Sequence, residues 1–181
     1  MIMTRLSSLS DAQILTQSQN DKKAFAVLYE RYVKKIYNFF YYRTFKQADS
    51  EDLTSQTFEK ALVKIESLYP DSNFKAWIFT VARNILIDYY RKQKEEVDIE
   101  NVNLNYEPNF LEQLHEKEKI TAVIDGLRQC NELEQEVLLL KYQQDLTSAE
   151  IGEVCGKSEG AVKQIIHRAI EKIRTKYRFK L

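Results

Sequence analysis

Residues 146–174 read LTSAEIGEVCGKSEGAVKQIIHRAIEKIR, and this stretch decides the fold of the C-terminal part of the chain. Thr147 followed three residues later by Glu150 is a capping box, which marks the start of a helix. Gly156 can end that helix in a left-handed conformation, and Ser158 can cap a second helix. Two short helices joined by such a turn are typical of a helix-turn-helix.

The second of these helices has two sides of opposite character. Six apolar residues recur at helical spacing and are predicted to be buried: Val162, Ile165, Ile166, Ala169, Ile170 and Ile173. The polar residues fall within an arc of about 140°, at roughly 100° per residue. They are Lys163, Gln164, His167, Arg168, Glu171 and Arg174. This mostly basic side predicts a recognition helix for the major groove, although an ordinary helical hairpin with a solvated side has the same pattern.

Composition favours an all-α protein. The chain has 181 residues, of which 44% are hydrophobic, and it contains only four Gly and two Pro. Few apolar runs alternate as a strand requires. No run of about 18 apolar residues exists, so no membrane insertion is predicted. The N-terminus lacks the apolar core of a secretory signal, and a cytoplasmic location is therefore expected.

The sequence contains no recognisable constellation for catalysis or for metal binding. Cys130 and Cys155 lie on apolar helical faces, which favours two buried thiols over a disulfide or a metal site. The two histidines, His115 and His167, do not complete a ligand set with zinc spacing. A Gly-rich phosphate loop and a nucleophile elbow are both missing. We therefore predict no catalytic residues, no metal, no cofactor and no enzymatic activity.

The formal net charge of zero hides an uneven distribution. Residues 157–181 contain eight bases and two acids, whereas residues 95–119 contain eight acids and two bases. This asymmetry indicates a basic end suited to nucleic acid and an acidic connector before it.

Apolar periodicity predicts three long helices in the N-terminal half, over residues 21–43, 50–67 and 74–94. Ser10 or Asp11 is predicted to cap a brief helix before them, and Asp49 or Ser50 to cap the second long helix. The predicted inward residues include Tyr29 on the first helix, Leu62 on the second and Trp77 on the third. On the third helix, the opposite side and far end carry Phe79, Arg83, Tyr90, Arg91, Lys92 and Lys94. Aromatic groups interleaved with cations suit single-stranded nucleic acid. Trp77 and Phe79 can also be plain core residues, and the Arg and Lys residues can instead stabilise the helix C-terminus.

An aperiodic, acidic segment separates two helical regions. Residues 95–109 predict a flexible linker, which divides the chain into domains 1–94 and 110–181. Further helices are expected over 110–129 and 132–143, the latter capped by Asn131 with Glu134. The apolar residues expected to cover the helix-turn-helix from behind are Leu133, Val137, Leu138 and Leu140. The expected fold is thus all-α, with two helical domains and a C-terminal helix-turn-helix.

Three groups of motifs, in order, resemble those of one protein family. They are Asp49–Asp52 with Thr57–Ala61; Phe74–Ile78 and Val81–Asn84 with Asp88 and Arg91; and Leu146–Thr147 with Glu150–Ile151, Gly160–Lys163 and His167–Ala169. The chain resembles a bacterial RNA polymerase sigma factor of the extracytoplasmic-function (ECF) group, in the sigma-70 family, from about Phe25 to Arg174. The resemblance implies a transcription initiation factor that binds core RNA polymerase and directs it to specific promoters. An anti-sigma factor is a further candidate partner.

The resemblance also implies a role for each motif. The core-polymerase-binding residues would be Asp52, Gln56, Glu59 and Lys60. The residues that recognise and melt the −10 element would be Ser72, Asn73, Trp77, Arg83, Arg91 and Lys92. The residues that read the −35 element would be Lys163, Gln164, His167 and Arg168, with Lys157 and Ser158 on phosphates.

Three residues depart from the family pattern: Ile165 and Ile170 stand where many relatives carry polar residues, and Gly152 stands where Ala is usual, at a small cost in helix propensity. Base preference therefore cannot be transferred from relatives. Two other classes of protein remain open. One is a self-sufficient helix-turn-helix repressor or activator, with residues 1–94 as a sensing or dimerising domain. The other is a helical adaptor or anti-activator that binds only protein.

Overall fold

The computed structural model of this protein describes residues 9–18, 21–69, 72–96 and 129–178, and every regular element in these ranges is helical. The all-α prediction is therefore confirmed. The chain divides into two compact units, Met1–Asn105 and Tyr106–Leu181. Seven α-helices lie in the described ranges: α1 (Asp11–Ser18), α2 (Lys22–Thr44), α3 (Gln47–Lys64), α4 (Phe74–Glu96), α5 (Glu132–Tyr142), α6 (Ser148–Cys155) and α7 (Glu159–Arg178), with a 3₁₀ turn at Ile65–Ser67.

The first unit is built around an aromatic core. Helix α2 packs on α1, α3 and α4, and α4 also packs on α1 and α3. Phe39 of α2 and Phe79 of α4 are fully buried and meet edge to face, with ring centroids 5.8 Å apart. The placement of Phe79 opposite the buried stripe of α4 is therefore wrong, and the alternative that Phe79 is a core residue is confirmed, because its ring packs between α2 and α4.

Helix α1 is fixed to α2 through its first turn. Ser10 is its cap, since its Oγ accepts the N–H of Gln13 at 3.3 Å while Gln13 Oε1 accepts the N–H of Ser10 at 2.9 Å. Asp11 has another task. Its Oδ1 accepts a hydrogen bond from Arg31 at 2.6 Å, and its Oδ2 accepts one from the Tyr32 hydroxyl. Of the two predicted caps, Ser10 is the one the structure uses.

The junction between α2 and α3 differs from the prediction. Helix α2 ends at Phe45, which adopts the left-handed conformation with φ of 53°. Helix α3 begins at Gln47, after Lys46, and no side chain caps it. Asp49 lies inside the first turn, and the buried Ser50 donates its hydroxyl to the carbonyl of Lys46 at 2.6 Å. Neither residue is a cap, because the tight αL turn after α2 starts the next helix earlier.

Two tyrosines tie the far end of α4 to this junction. The Tyr89 hydroxyl donates to Asp49 Oδ2 at 2.5 Å, and the Tyr90 hydroxyl donates to the carbonyl oxygen of Arg43 at 2.6 Å. Burial, followed by the hydrogen bond to Asp49, raises the pKa of Tyr89 above its ordinary value. Tyr89 therefore stays protonated, and this end of α4 is fixed to the start of α3.

Two apolar residues predicted to face inward are partly exposed. Leu62 is 42% exposed and Tyr29 is 44% exposed. The ring of Tyr29 contacts Phe58 at 4.7 Å between centroids, so one side of it packs while the rest faces solvent. The apolar stripe of α2 and α3 is wider than the neighbouring helices can cover.

The second unit follows the predicted pattern of caps. Asn131 with Glu134 forms a capping box at α5, and Thr147 with Glu150 forms one at α6. Gly156 ends α6 with φ of 64°. Helices α5, α6 and α7 pack on one another, and Val137, Leu138 and Leu140 are buried while Leu133 is half-buried. Both cysteines are buried, as predicted.

The predicted domain limits of 1–94, 95–109 and 110–181 stay predictions. Helix α4 runs two residues past its predicted end at Lys94, to Glu96. The remainder of the predicted linker lies outside the described residues. So does the predicted helix over 110–129, except for Gln129, which is in a turn.

Gly152 has a role that its helix propensity does not reveal. A Cβ atom at this position would lie 2.6 Å from the backbone carbonyl oxygen of Lys157, because the turn after α6 folds back over the helix. The backbone N–H of Lys157 also donates to the carbonyl of Gly152 at 2.9 Å. Glycine therefore permits the close approach of the turn to α6.

We predict that Gly152→Ala destabilises the second unit by about 1–3 kcal/mol, because the turn must move away from the added methyl group. Gly160→Ala is the matched control. Among the residues that the structure describes, nothing lies within 4 Å of a Cβ there, and the substitution should stabilise by about 0.5 kcal/mol. Denaturant unfolding of both variants measures the pair. A Gly152→Ala protein at least as stable as the parent would contradict the proposed close approach.

Candidate nucleic-acid and polymerase interfaces

Helix α7 presents a continuous polar side to solvent. The six residues predicted for this side are all exposed: Lys163, Gln164, His167, Arg168, Glu171 and Arg174. On the opposite side Val162 and Ala169 are fully buried, while Ile166, Ile170 and Ile173 pack against the cluster of Cys130, Leu138 and Ala169. The predicted division of this helix into a buried and an exposed side is confirmed.

Two bases on this side are paired with acids of the same helix. Lys163 Nζ lies 2.6 Å from Glu159 Oε1, and Arg174 lies 3.1 Å from Glu171 Oε1. All four side chains are at least half exposed, so each pair contributes little to stability. Either base can exchange its carboxylate for a phosphate at small cost.

The turn before α7 supplies the two residues predicted to contact phosphates. Ser158 Oγ accepts the N–H of Ala161 at 3.2 Å, as a helix cap does, and Lys157 beside it is exposed. Backbone N–H groups at a helix N-terminus and the positive end of the helix dipole attract anions. Lys157 and Ser158 thus lie beside the first turn of α7.

A buried carboxylate connects α5 to α7. Glu134 is 7% exposed, and its two oxygens accept hydrogen bonds from Lys172 Nζ at 2.6 and 2.7 Å. The backbone N–H of Asn131 also donates to Glu134, at 2.9 Å. The hydrogen bond from Lys172 lowers the pKa of Glu134 below its ordinary value, and the bond from Asn131 adds to this. The sequence predicted the capping role of Glu134 but gave no signal for its partner, 38 residues away.

The residues predicted to bind core polymerase lie on one side of α3. Asp52, Glu59 and Lys60 are exposed, while Gln56 is half-buried and donates to Asp52 Oδ2 at 2.7 Å. Val63 continues this side by one further turn and is 80% exposed. The surface is therefore mostly polar, with an apolar residue at its end.

The residues predicted for the −10 element lie at the two ends of α4 and along it. Asn73 Oδ1 accepts the N–H of Ala76 at 3.1 Å, which makes Asn73 the helix cap. Trp77 is half-buried, and Ser72 and Arg83 are also half-buried. At the far end Arg91 and Lys92 are exposed, and Arg91 forms an exposed ion pair with Asp88 at 3.1 Å. These side chains do not form a single cluster.

The site residues predicted from the sequence do not include two exposed apolar residues beside these positions. Tyr69, in the loop before α4, is 78% exposed, and Ile87 on α4 is 47% exposed. The signal for Tyr69 was present in the sequence, since an aromatic residue just before Pro70 in a turn has little core to join.

Comparison with known proteins assigns both units. Residues 28–96 match the family described as Sigma-70 region 2, and residues 126–175 match Sigma-70, region 4. The chain is 31% identical over 153 residues to the ECF RNA polymerase sigma factor SigM of Bacillus subtilis, covering 83% of this chain and 93% of that protein. It is 36% identical over 156 residues to the ECF RNA polymerase sigma factor BldN of Streptomyces coelicolor, covering 81% of this chain. The chain spans only 58% of BldN's length.

A solved structure has the same fold. The sigma factor RpoE of Bartonella quintana, in complex with the anti-sigma factor NepR, matches with a TM-score of 0.70 and 23% identity, over 84% of this chain and 96% of that chain. Two sigma-70 regions in this order define a promoter-directing transcription factor. This chain belongs to the ECF RNA polymerase sigma factors. It is a transcription initiation factor and not an enzyme.

Among the described helices, none combines the length and the apolar character that a membrane-spanning segment needs.

We predict that Glu134→Gln destabilises the second unit by about 1–3 kcal/mol at neutral pH, because Lys172 loses its charged partner. The folded pKa of Glu134 is lowered, so its stabilisation is present above the unfolded value near 4.5 and is lost as pH falls through the folded pKa. Glu134→Gln has no carboxylate to protonate at this position, so the stability of its second unit should not show this contribution to the decrease at acid pH. Hydrogen exchange of α5 amides against pH measures the effect.

The control for this measurement is Glu171→Gln, which removes an exposed ion pair within α7, the helix that carries Lys172. It should change α5 exchange little. Equal losses in the two variants would show that Glu134 acts only as a surface charge.

Proposed function

We propose that the two units of this sigma factor divide promoter recognition between them. The second unit reads the −35 element through α7, and the first unit binds core RNA polymerase and melts the −10 element. The observation that carries the proposal is the exposed polar side of α7, on a helix whose other side is anchored in the unit. RNA polymerase works in the cytoplasm, which is the compartment that this function implies.

The −35 contacts would come from the N-terminal half of α7. Lys163, Gln164, His167 and Arg168 lie within the first three turns of the helix, the part that enters the major groove in helix-turn-helix proteins. Arginine and glutamine can each form paired hydrogen bonds to a base edge. Lys157 and Ser158 would bind phosphate beside the helix N-terminus and so set its register.

The −10 contacts would come from the start of α4 and the loop before it. Ser72 and Asn73 would hydrogen-bond the edge of an unstacked base, and the half-buried Trp77 would stack on it. Unstacking a base costs a few kcal/mol, which stacking and edge hydrogen bonds offset. Arg83, Arg91 and Lys92 would hold the backbone of the separated strand.

The exposed side of α3 would dock on core polymerase through Asp52, Gln56, Glu59 and Lys60. Charged groups of both signs on this surface favour a specific electrostatic fit rather than simple attraction. The structural neighbour RpoE is in complex with an anti-sigma factor, and we propose that a protein of that kind also regulates this chain.

We predict that Arg168→Ala weakens binding of the −35 element by about 1–3 kcal/mol, if its contact is bidentate to a guanine. Lys157→Ala is the matched comparison. It should weaken all sequences evenly and reduce the salt slope by about one. Binding of polymerase holoenzyme to specific and random duplexes at several salt concentrations separates the two effects. Equal loss on both duplexes for Arg168→Ala would make Arg168 a phosphate contact.

We also predict that the isolated protein binds promoter duplex weakly and that core polymerase strengthens specific binding by about 100-fold or more. A single helix-turn-helix offers one half-site, whereas stand-alone regulators pair two. The net charge of zero keeps the non-specific electrostatic attraction small. The measurement is promoter binding with and without core enzyme at one fixed salt concentration.

Glu59→Arg sharpens this experiment, because it should reduce the gain from core enzyme while leaving the weak binding of the free protein unchanged. The matched control is Glu66→Arg. Glu66 is also an exposed acid, but it lies in the 3₁₀ turn after α3, outside the proposed docking surface. Tight and specific binding by the isolated protein, unchanged by core enzyme, would instead favour a self-sufficient repressor.

A further inference from the structure

Trp77 is held on its buried side by one aromatic neighbour. Its ring centroid lies 5.7 Å from that of Phe74, the first residue of α4, with a tilt of 43° between the planes. Phe74 is 1% exposed, whereas Trp77 is half-buried. Because part of the indole faces solvent, contacts on the packed side must set the orientation of its ring.

Phe74 is in turn held by a buried tyrosine of α2. The rings of Tyr32 and Phe74 meet edge to face, with centroids 5.4 Å apart and planes at 66°. Tyr32 is 4% exposed. Three aromatic rings, from Tyr32 through Phe74 to Trp77, therefore connect the centre of the first unit to the surface near the loop that precedes α4.

The far end of this row is fixed by α1. The hydroxyl of Tyr32 donates to Asp11, and the other oxygen of Asp11 accepts from Arg31 at 2.6 Å. Arg31 also donates to the carbonyl oxygen of Leu9 at 2.7 Å. Helix α1 packs against α2, α4 and the 3₁₀ turn, which are the elements around the loop that precedes α4.

We infer that Asp11 and Tyr32 are positioning residues for promoter opening, because the Asp11–Tyr32–Phe74 row fixes the indole of Trp77 in the orientation that stacks on a base. This inference rests on the proposed stacking role of Trp77. A side chain that is already oriented loses less conformational freedom on binding, so the bound base gains affinity. A residue on α1 would thereby influence melting without touching DNA.

The hydroxyl of Tyr32 can be removed without opening a cavity. Phenylalanine keeps the ring that packs on Phe74, and the side chain of Asp11 is 29% exposed, so water can replace the lost donor. Tyr32→Phe should thus free the ring of residue 32 from its hydrogen bond to Asp11 while leaving the fold intact. Tyr42→Phe is the matched control, on the same helix but with its ring against Tyr41.

The first experiment uses the free, full-length protein. Trp77 is the single tryptophan of the chain, so intrinsic fluorescence reports on it directly. Tyr32→Phe and Asp11→Asn should both increase acrylamide quenching and lower the anisotropy of Trp77. The thermal midpoint should be unchanged in Tyr32→Phe, whereas Asp11→Asn also loses the ion pair with Arg31. Tyr42→Phe should change neither. If the quenching and anisotropy of Trp77 are unaltered in both Tyr32→Phe and Asp11→Asn, the inference is overturned.

The second experiment is a double-mutant cycle in holoenzyme, with open-complex formation measured by permanganate reactivity. Tyr32→Phe should reduce opening about three- to tenfold in the parent background, with core binding unchanged. Tyr32→Phe should have no effect in a Trp77→Ala background, because the Asp11–Tyr32–Phe74 row then has no indole ring to position.

The outcomes of the cycle are distinguishable. An equal reduction in both backgrounds would overturn the positioning role while leaving the stacking role of Trp77 in place. Normal opening by Trp77→Ala alone would remove the stacking role, and with it the inference.

Discussion

The carboxylate of Glu134 is the interaction on which the DNA-reading unit depends. It completes the capping box that starts α5 and accepts two hydrogen bonds from Lys172 of α7. Helix α6 packs on both of these helices, so one carboxylate fixes the frame in which the turn and the recognition helix sit. A helix that reads base edges must be held rigidly, since small displacements break paired hydrogen bonds. Lys172, one of the eight bases of residues 157–181, therefore holds α7 to α5 through Glu134.

The features that could be predicted from the sequence are those with local causes. Both capping boxes in the second unit, the left-handed Gly156 and the two-sided character of α7 each depend on residues within a few positions of one another. Such patterns identify helices and their exposed sides because the backbone geometry is nearly the same in every protein. The exposure of Arg168 and the burial of Ala169 follow from this periodicity alone.

The features that could not be predicted depend on which helices meet. Phe79 is as apolar as Trp77 and lies two residues away, and its full burial depends on the packing of α4 against α2, where its ring meets Phe39. The hydrogen bond between Glu134 and Lys172 joins residues 38 positions apart in the sequence. The one between Tyr89 and Asp49 joins residues 40 positions apart. The close approach of Lys157 to Gly152 is likewise a property of the folded turn, which helix propensity does not describe.

The two units expose different kinds of surface, and this difference matches their proposed partners. Among the described residues, the large apolar side chains that are well exposed lie mostly in the first unit: Tyr29, Leu62, Val63, Tyr69 and Ile87, against Tyr142 in the second. Exposed apolar area costs about 25 cal/mol per Å² and is recovered when a partner covers it. Protein contacts and stacked bases recover that cost, whereas a phosphate backbone does not. The second unit instead exposes hydrated charges, which suit an intact duplex. Trp77 lies between these cases, because Phe74 packs against its ring while part of the side chain is exposed to solvent.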